Sequence, residues 1–218
     1  MEPILRSVNS EDWITIILFG SLLFVLAAKS MFYSRFLNFI ILPFNNKYIF
    51  MYNKKEKLFN WFHIFFTIFQ VINTSLFLFL AWRAFEKPEA NNYPFIFPLI
   101  LLGVFLFLSV KVFLQLTNGF IFGSHRIFSE MVFKKLSYLN YAGLILFIAN
   151  IILTFVFVNS NLIVLIAIIL FIGVNIIGWV TVLRNHQKFI TNYFFYFILY
   201  LCALEIAPFV IIGSYLND

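Results

Sequence analysis

One cysteine in 218 residues, Cys202, leaves this chain without a disulfide framework or a metal site built on paired thiolates. Charge is equally scarce. Asp, Glu, Lys and Arg supply 11% of the residues, against about 25% in soluble domains. The usual catalytic signatures are missing as well: no nucleophile elbow, zinc helix, phosphate loop or dinucleotide fingerprint occurs. Gly119, Gly123 and Gly143 stand singly, as helix or turn residues. His63, His125 and His186 lack paired ligand spacing; two fall in basic stretches and one at a helix end among aromatics. We therefore expect no metal, no cofactor and no catalytic residue.

What is present is apolar. Hydrophobic residues make up 63% of the chain, and Phe alone occurs 33 times, a count that an AT-rich genome also favours. This composition defines an integral membrane protein. About 20 helical residues cross a hydrocarbon core about 30 Å thick. Six stretches qualify: residues 13–29, 58–85, 94–116, 139–158, 161–183 and 189–213. The expected fold is all-α, a polytopic transmembrane bundle forming a single domain over residues 1–218. Asn159 and Ser160 leave room only for a tight hairpin between the fourth and fifth spans.

Lysine and arginine orient the bundle, since short loops rich in them stay in the cytoplasm. One side collects Lys29, Arg35, Lys47, Lys54, Lys55, Lys57, Arg126, Lys134, Lys135, Arg184 and Lys188; the other has Arg6, Arg83 and Lys87 among most of the acidic residues. Both termini are thus expected outside the cytoplasm. The acidic flank of the first span argues against a cleaved signal peptide. The net charge of +6 suits anionic lipid headgroups rather than nucleic acid.

Residues 30–57 form the most distinctive loop. Met31, Phe32, Tyr33, Phe36, Leu37, Phe39, Ile40 and Ile41 leave Ser34, Arg35 and Asn38 as a narrow polar face, and Pro43 ends the helix. Such a stripe suits an amphipathic segment in the membrane interface. Arg35, Lys47, Lys54, Lys55 and Lys57 are its candidate contacts to anionic lipid or a partner protein, with lipid the simpler occupant. Trp13, Trp82 and Tyr93 fit an outer aromatic belt; Tyr48, Trp61, Tyr138 and Trp179 or Tyr193 fit an inner one.

Polar residues inside the spans are costly and need partners or roles. Gln70, Asn73, Asn150 and Asn175 fall near the midplane, where amides chiefly fix helix packing. Lys111 and Glu205 are the intramembrane charges. Their depths differ by about 15–20 Å if each span starts at its interface, which disfavours a direct pair unless the third helix continues through Gln115–Asn118. Pro208 frees the Leu204 carbonyl and kinks the helix beside Glu205. Three uses stay open for that carboxylate: a neutral hydrogen-bonded acid, a proton or cation site, or a charge matched on another subunit.

The segments Phe44-Asn45-Asn46-Lys47-Tyr48-Ile49 and Tyr200-Leu201-Cys202-Ala203-Leu204-Glu205-Ile206-Ala207-Pro208 resemble the bacterial membrane family called domain of unknown function 4271. That resemblance implies a polytopic inner-membrane protein of Gram-negative bacteria, in a group that also uses an outer-membrane secretion and gliding apparatus. It implies no catalytic residues. Two functional classes follow: a non-enzymatic subunit or assembly factor contacting lipids and other inner-membrane proteins, or a small proton-coupled carrier using Glu205.

Overall fold

The computed structural model describes residues 12–45, 47–52, 60–86, 95–121 and 125–185. Among them, seven α-helices follow one another with no strand: α1 (Asp12–Met31), α2 (Tyr33–Ile40), α3 (Lys47–Tyr52), α4 (Trp61–Glu86), α5 (Ile96–Ile121), α6 (His125–Ile151) and α7 (Asn161–Asn185). Five of them, α1 and α4 to α7, are long and apolar enough to cross a membrane. The expected sixth span, 189–213, lies outside the described residues.

Helices α4 and α6 form the centre of the bundle. Both run in the same direction, with α5 returning between them; α1 packs on α4, and α7 folds back along α6. The turn before α7 depends on Asn159, whose φ of 56° is a left-handed conformation that asparagine tolerates better than most side chains. Ahead of it, the last turn of α6 widens into a π-helical segment, Ile152–Val156, closed by Phe157 N–H donating to the Ile152 carbonyl at 2.9 Å.

The fourth apolar stretch differs from the sequence expectation at its start. Helix α6 begins at His125 rather than near residue 139, so with the π-helical turn it extends about 48 Å, well beyond a 30 Å core. The reason lies in a dual pattern. Phe128, Met131, Val132 and Phe133 bury an apolar face while Arg126 and Glu130 pair at 3.5 Å one turn apart and Lys135 places its ammonium 3.7 Å from the Trp179 ring centroid. Counting charges alone hid the apolar face.

Two glycines permit the closest approaches. A Cβ on Gly143 would lie 3.0 Å from the Gln70 Cβ, bringing α6 against α4; a Cβ on Gly178 would lie 2.7 Å from the Tyr138 ring, bringing α7 against α6. Small residues at such crossings let backbones approach and gain van der Waals contact where no hydrophobic force distinguishes core from lipid.

Two buried clusters divide the bundle along its length. One gathers Ile14 and Leu18 of α1, Leu76, Phe77, Leu80 and Ala84 of α4, Leu146, Ala149 and Leu153 of α6 and its π-turn, and Val164 and Ala167 of α7. The other gathers Ala28, Phe39, Leu42, Tyr48, Ile49, Phe62, Phe66, Phe69, Phe133 and Tyr138. We call the second the arm end, because α2 and α3 form an arm docked there.

Candidate functional site

The arm is a local product of its sequence. Phe32 interrupts the helix for one residue, at φ −134°, yet the chain still bonds across the break, Phe32 N–H to Ala28 and Phe36 N–H to Phe32. Leu42, Phe44 and Asn45 N–H groups then bond back to Phe39 and Ile41 carbonyls around Pro43, which cannot donate. Asn45 accepts the Lys47 N–H at 3.0 Å and so caps α3. This return carries Tyr48 beneath Arg35. Asn60 Oδ1 performs the equivalent task for α4, accepting the Phe62 N–H at 3.4 Å and setting the register that faces His63 inward.

Arg35 is 4% exposed, and its guanidinium carbon lies 4.9 Å from the Phe62 ring, 4.8 Å from Tyr52 and 5.7 Å from Tyr48. Such cation–aromatic contacts strengthen when desolvated, to about 2 kcal/mol each. Its Nε donates to the Tyr48 hydroxyl at 3.4 Å, and that hydroxyl lies 3.3 Å from His63 Nε2. Phe39 fills the centre, its ring 4.5 Å from Phe66, 5.6 Å from Phe62, 5.4 Å from Tyr48 and 5.9 Å from Tyr141. The arm is therefore held by aromatic packing around the buried Arg35 guanidinium.

A polar seam continues from this cage between α4 and α6. Asn140 donates to Thr67 Oγ1 at 3.4 Å; farther along, Asn150 donates to the Asn73 carbonyl at 3.0 Å and reaches its Oδ1 at 3.4 Å. Gln70 lies between these pairs and donates to Thr74 at 3.0 Å. Buried along the same line, His63 Nδ1, Gln70 Oε1, Asn140 Oδ1, Asn150 Oδ1 and Thr154 Oγ1 make no hydrogen bond among the described residues. Each such atom costs about 1–3 kcal/mol unless a water or another group reaches it.

The fold treats the residues singled out by sequence unequally. Asn73 and Asn150 meet; Asn175 instead donates to the Phe171 carbonyl of its own helix at 2.8 Å. Arg35 faces inward, whereas Lys47 is exposed. Tyr48 and Tyr138, read as belt anchors, are both interior: Tyr48 packs against Phe133, and Tyr138 bonds Thr181 of α7 at 3.4 Å. Helix α5 does continue past Gln115, to Ile121, which brings Lys111 toward mid-helix; its ammonium lies 6.0 Å from the Phe107 ring centroid. Glu205, Pro208, Lys54, Lys55, Lys57 and His186 lie outside the described residues. Sequence reasoning missed the meeting of Arg35, Tyr48 and His63, because no spacing rule links three residues on three helices. The available hint was a lone arginine within an otherwise apolar stripe.

The architecture defines a class first: an all-α bundle whose five longest described helices are each apolar and long enough to span a membrane. The chain belongs to the family described as domain of unknown function DUF4271, which matches it over residues 14–216. No curated protein and no solved structure matches the chain.

Proposed function

We propose that the protein is a non-enzymatic integral subunit or assembly factor of a bacterial cytoplasmic-membrane complex, with its lysine-rich arm end in the cytoplasm and both termini in the periplasm. The observation carrying this reading is how the bundle distributes its chemistry. Arg35, Tyr48, His63, Asn73 and Asn150 are spent on internal contacts, while α5 and α7 turn broad apolar faces outward. The molecule then offers surfaces, to lipid and to neighbouring membrane proteins, rather than reacting groups. A secretion or gliding assembly is the first complex to test, on family grounds. Purification of the tagged chain from native membranes in mild detergent should recover a stoichiometric membrane partner. Recovery of the chain alone, from membranes in which crosslinking also captures no neighbour, would overturn this reading.

A second reading is a small proton-coupled carrier, favoured by the line of unsatisfied polar atoms between α4 and α6. It assigns the intramembrane carboxylate Glu205 to the transport step. Loss of proton or solute flux in proteoliposomes on Glu205→Gln, at unchanged protein abundance, would favour it over the subunit reading.

A further inference from the structure

Several hydroxyls on these helices return to their own backbone. Ser75 donates to the Val71 carbonyl at 2.7 Å, Ser137 to that of Phe133 at 2.7 Å and Thr181 to that of Ile177 at 2.9 Å. Thr154 does not. It is 7% exposed, it sits in the π-turn Ile152–Val156, and its Oγ1 has no hydrogen-bond partner among the described residues. One turn earlier Asn150 is fully buried, and its Oδ1 is equally without a partner among them. Turning the amide over does not mend this. Asn150 Nδ2 donates to the Asn73 carbonyl at 3.0 Å and faces Asn73 Oδ1 at 3.4 Å, so a flip sets oxygen against oxygen. We propose that Asn150 and Thr154 form a water-binding site at the π-turn, in which one water molecule bridges the amide oxygen and the hydroxyl.

Spacing and chemistry both select water. Side chains four residues apart on a helix have Cβ atoms about 5–6 Å apart, and a water making two hydrogen bonds of about 2.8 Å spans that range. Water donates to Asn150 Oδ1, which only accepts, and it donates to or accepts from Thr154 Oγ1, which does both. Buried polar groups that lack protein partners are where internal waters reside. A metal cation instead carries a charge that this neutral amide and hydroxyl do not balance. Asp12 is exposed and Glu130 pairs with Arg126 at 3.5 Å near the start of α6, so neither supplies the countercharge. The water replaces the backbone bond that Thr154 lacks in the widened turn, and so becomes part of the bend that leads α6 toward α7.

Hydroxyl-radical labelling by X-ray radiolysis, on the full chain in lipid nanodiscs and read by mass spectrometry, reports the site, since the radical forms from water held beside a side chain. Leu153 is 2% exposed and adjoins Thr154 in the chain; Leu18, 5% exposed, belongs to the same aliphatic cluster but lies on α1. Leu153 should be labelled about fivefold faster than Leu18. Thr154→Val, which keeps the branched shape and removes the hydroxyl, should bring Leu153 down to the Leu18 rate. Equal rates at the two leucines in the native protein, or a Leu153 rate that Thr154→Val leaves unchanged, overturn the proposal. So does a rate that changes when sodium and potassium are exchanged for choline, which assigns the site to a cation. Should the variant not fold, water-edited solid-state NMR of the native protein decides: magnetisation from water should reach the Asn150 side-chain amide, and its failure to arrive sinks the site.

Discussion

The two ends of the bundle are built from different materials. Away from the arm, the core is largely aliphatic, made of Leu, Ile, Val and Ala from four helices with Phe77 among them; at the arm end it is largely aromatic and encloses an arginine and a histidine. Aliphatic side chains suffice where helices need only fill space against one another. A docked segment that brings a charge inside needs rings, whose faces attract a cation and whose hydroxyls reach polar atoms without exposing them to hydrocarbon. The difference teaches that the arm is part of the core rather than a strap laid over it.

Substitutions can break or sharpen this contrast. The largest effect is expected for Phe39→Ala, which empties the centre of the aromatic cage; about 3–5 kcal/mol should be lost, with the arm released first. Reversible unfolding in mixed micelles together with amide exchange measures both, and equal loosening at the opposite end would erase the contrast. Gly178→Ala comes next. Its new methyl group meets Tyr138, so α6 and α7 must part, at a cost of about 1–3 kcal/mol by the same unfolding assay. The smallest effect is expected for Asn150→Leu beside the aliphatic cluster, where the bridge to Asn73 is lost but one orphaned oxygen goes with it. About 0.6 kcal/mol, the average for such bonds in membrane bundles, is the expected change. A loss as large as that of Phe39→Ala would show that the seam, not the cage, holds the molecule.

Some of this was legible beforehand. The span-length helices α1, α4, α5 and α7 follow from runs of apolar residues, because hydrocarbon length and helical rise leave little freedom in where such a run begins and ends. The meeting of Asn73 with Asn150 was half visible: both were expected to pack helices, but nothing identified which amides pair, and Asn175 turned out to serve its own backbone. The early start of α6 was hidden by its charges. Tyr48 and Tyr138 looked like interface anchors because a tyrosine near a helix end has the same sequence signature whether its hydroxyl meets water or a buried neighbour.

Composition and hydropathy determined that this chain is a helical bundle suited to a membrane, since transfer of a helix into hydrocarbon is nearly additive over its own residues. Which sides of those helices touch was decided only in three dimensions. Lipid and protein interior are equally apolar, so the choice rests on shape: a glycine that admits a ring, a proline that turns the chain, and an arginine that finds three aromatic faces when α2 and α3 fold back.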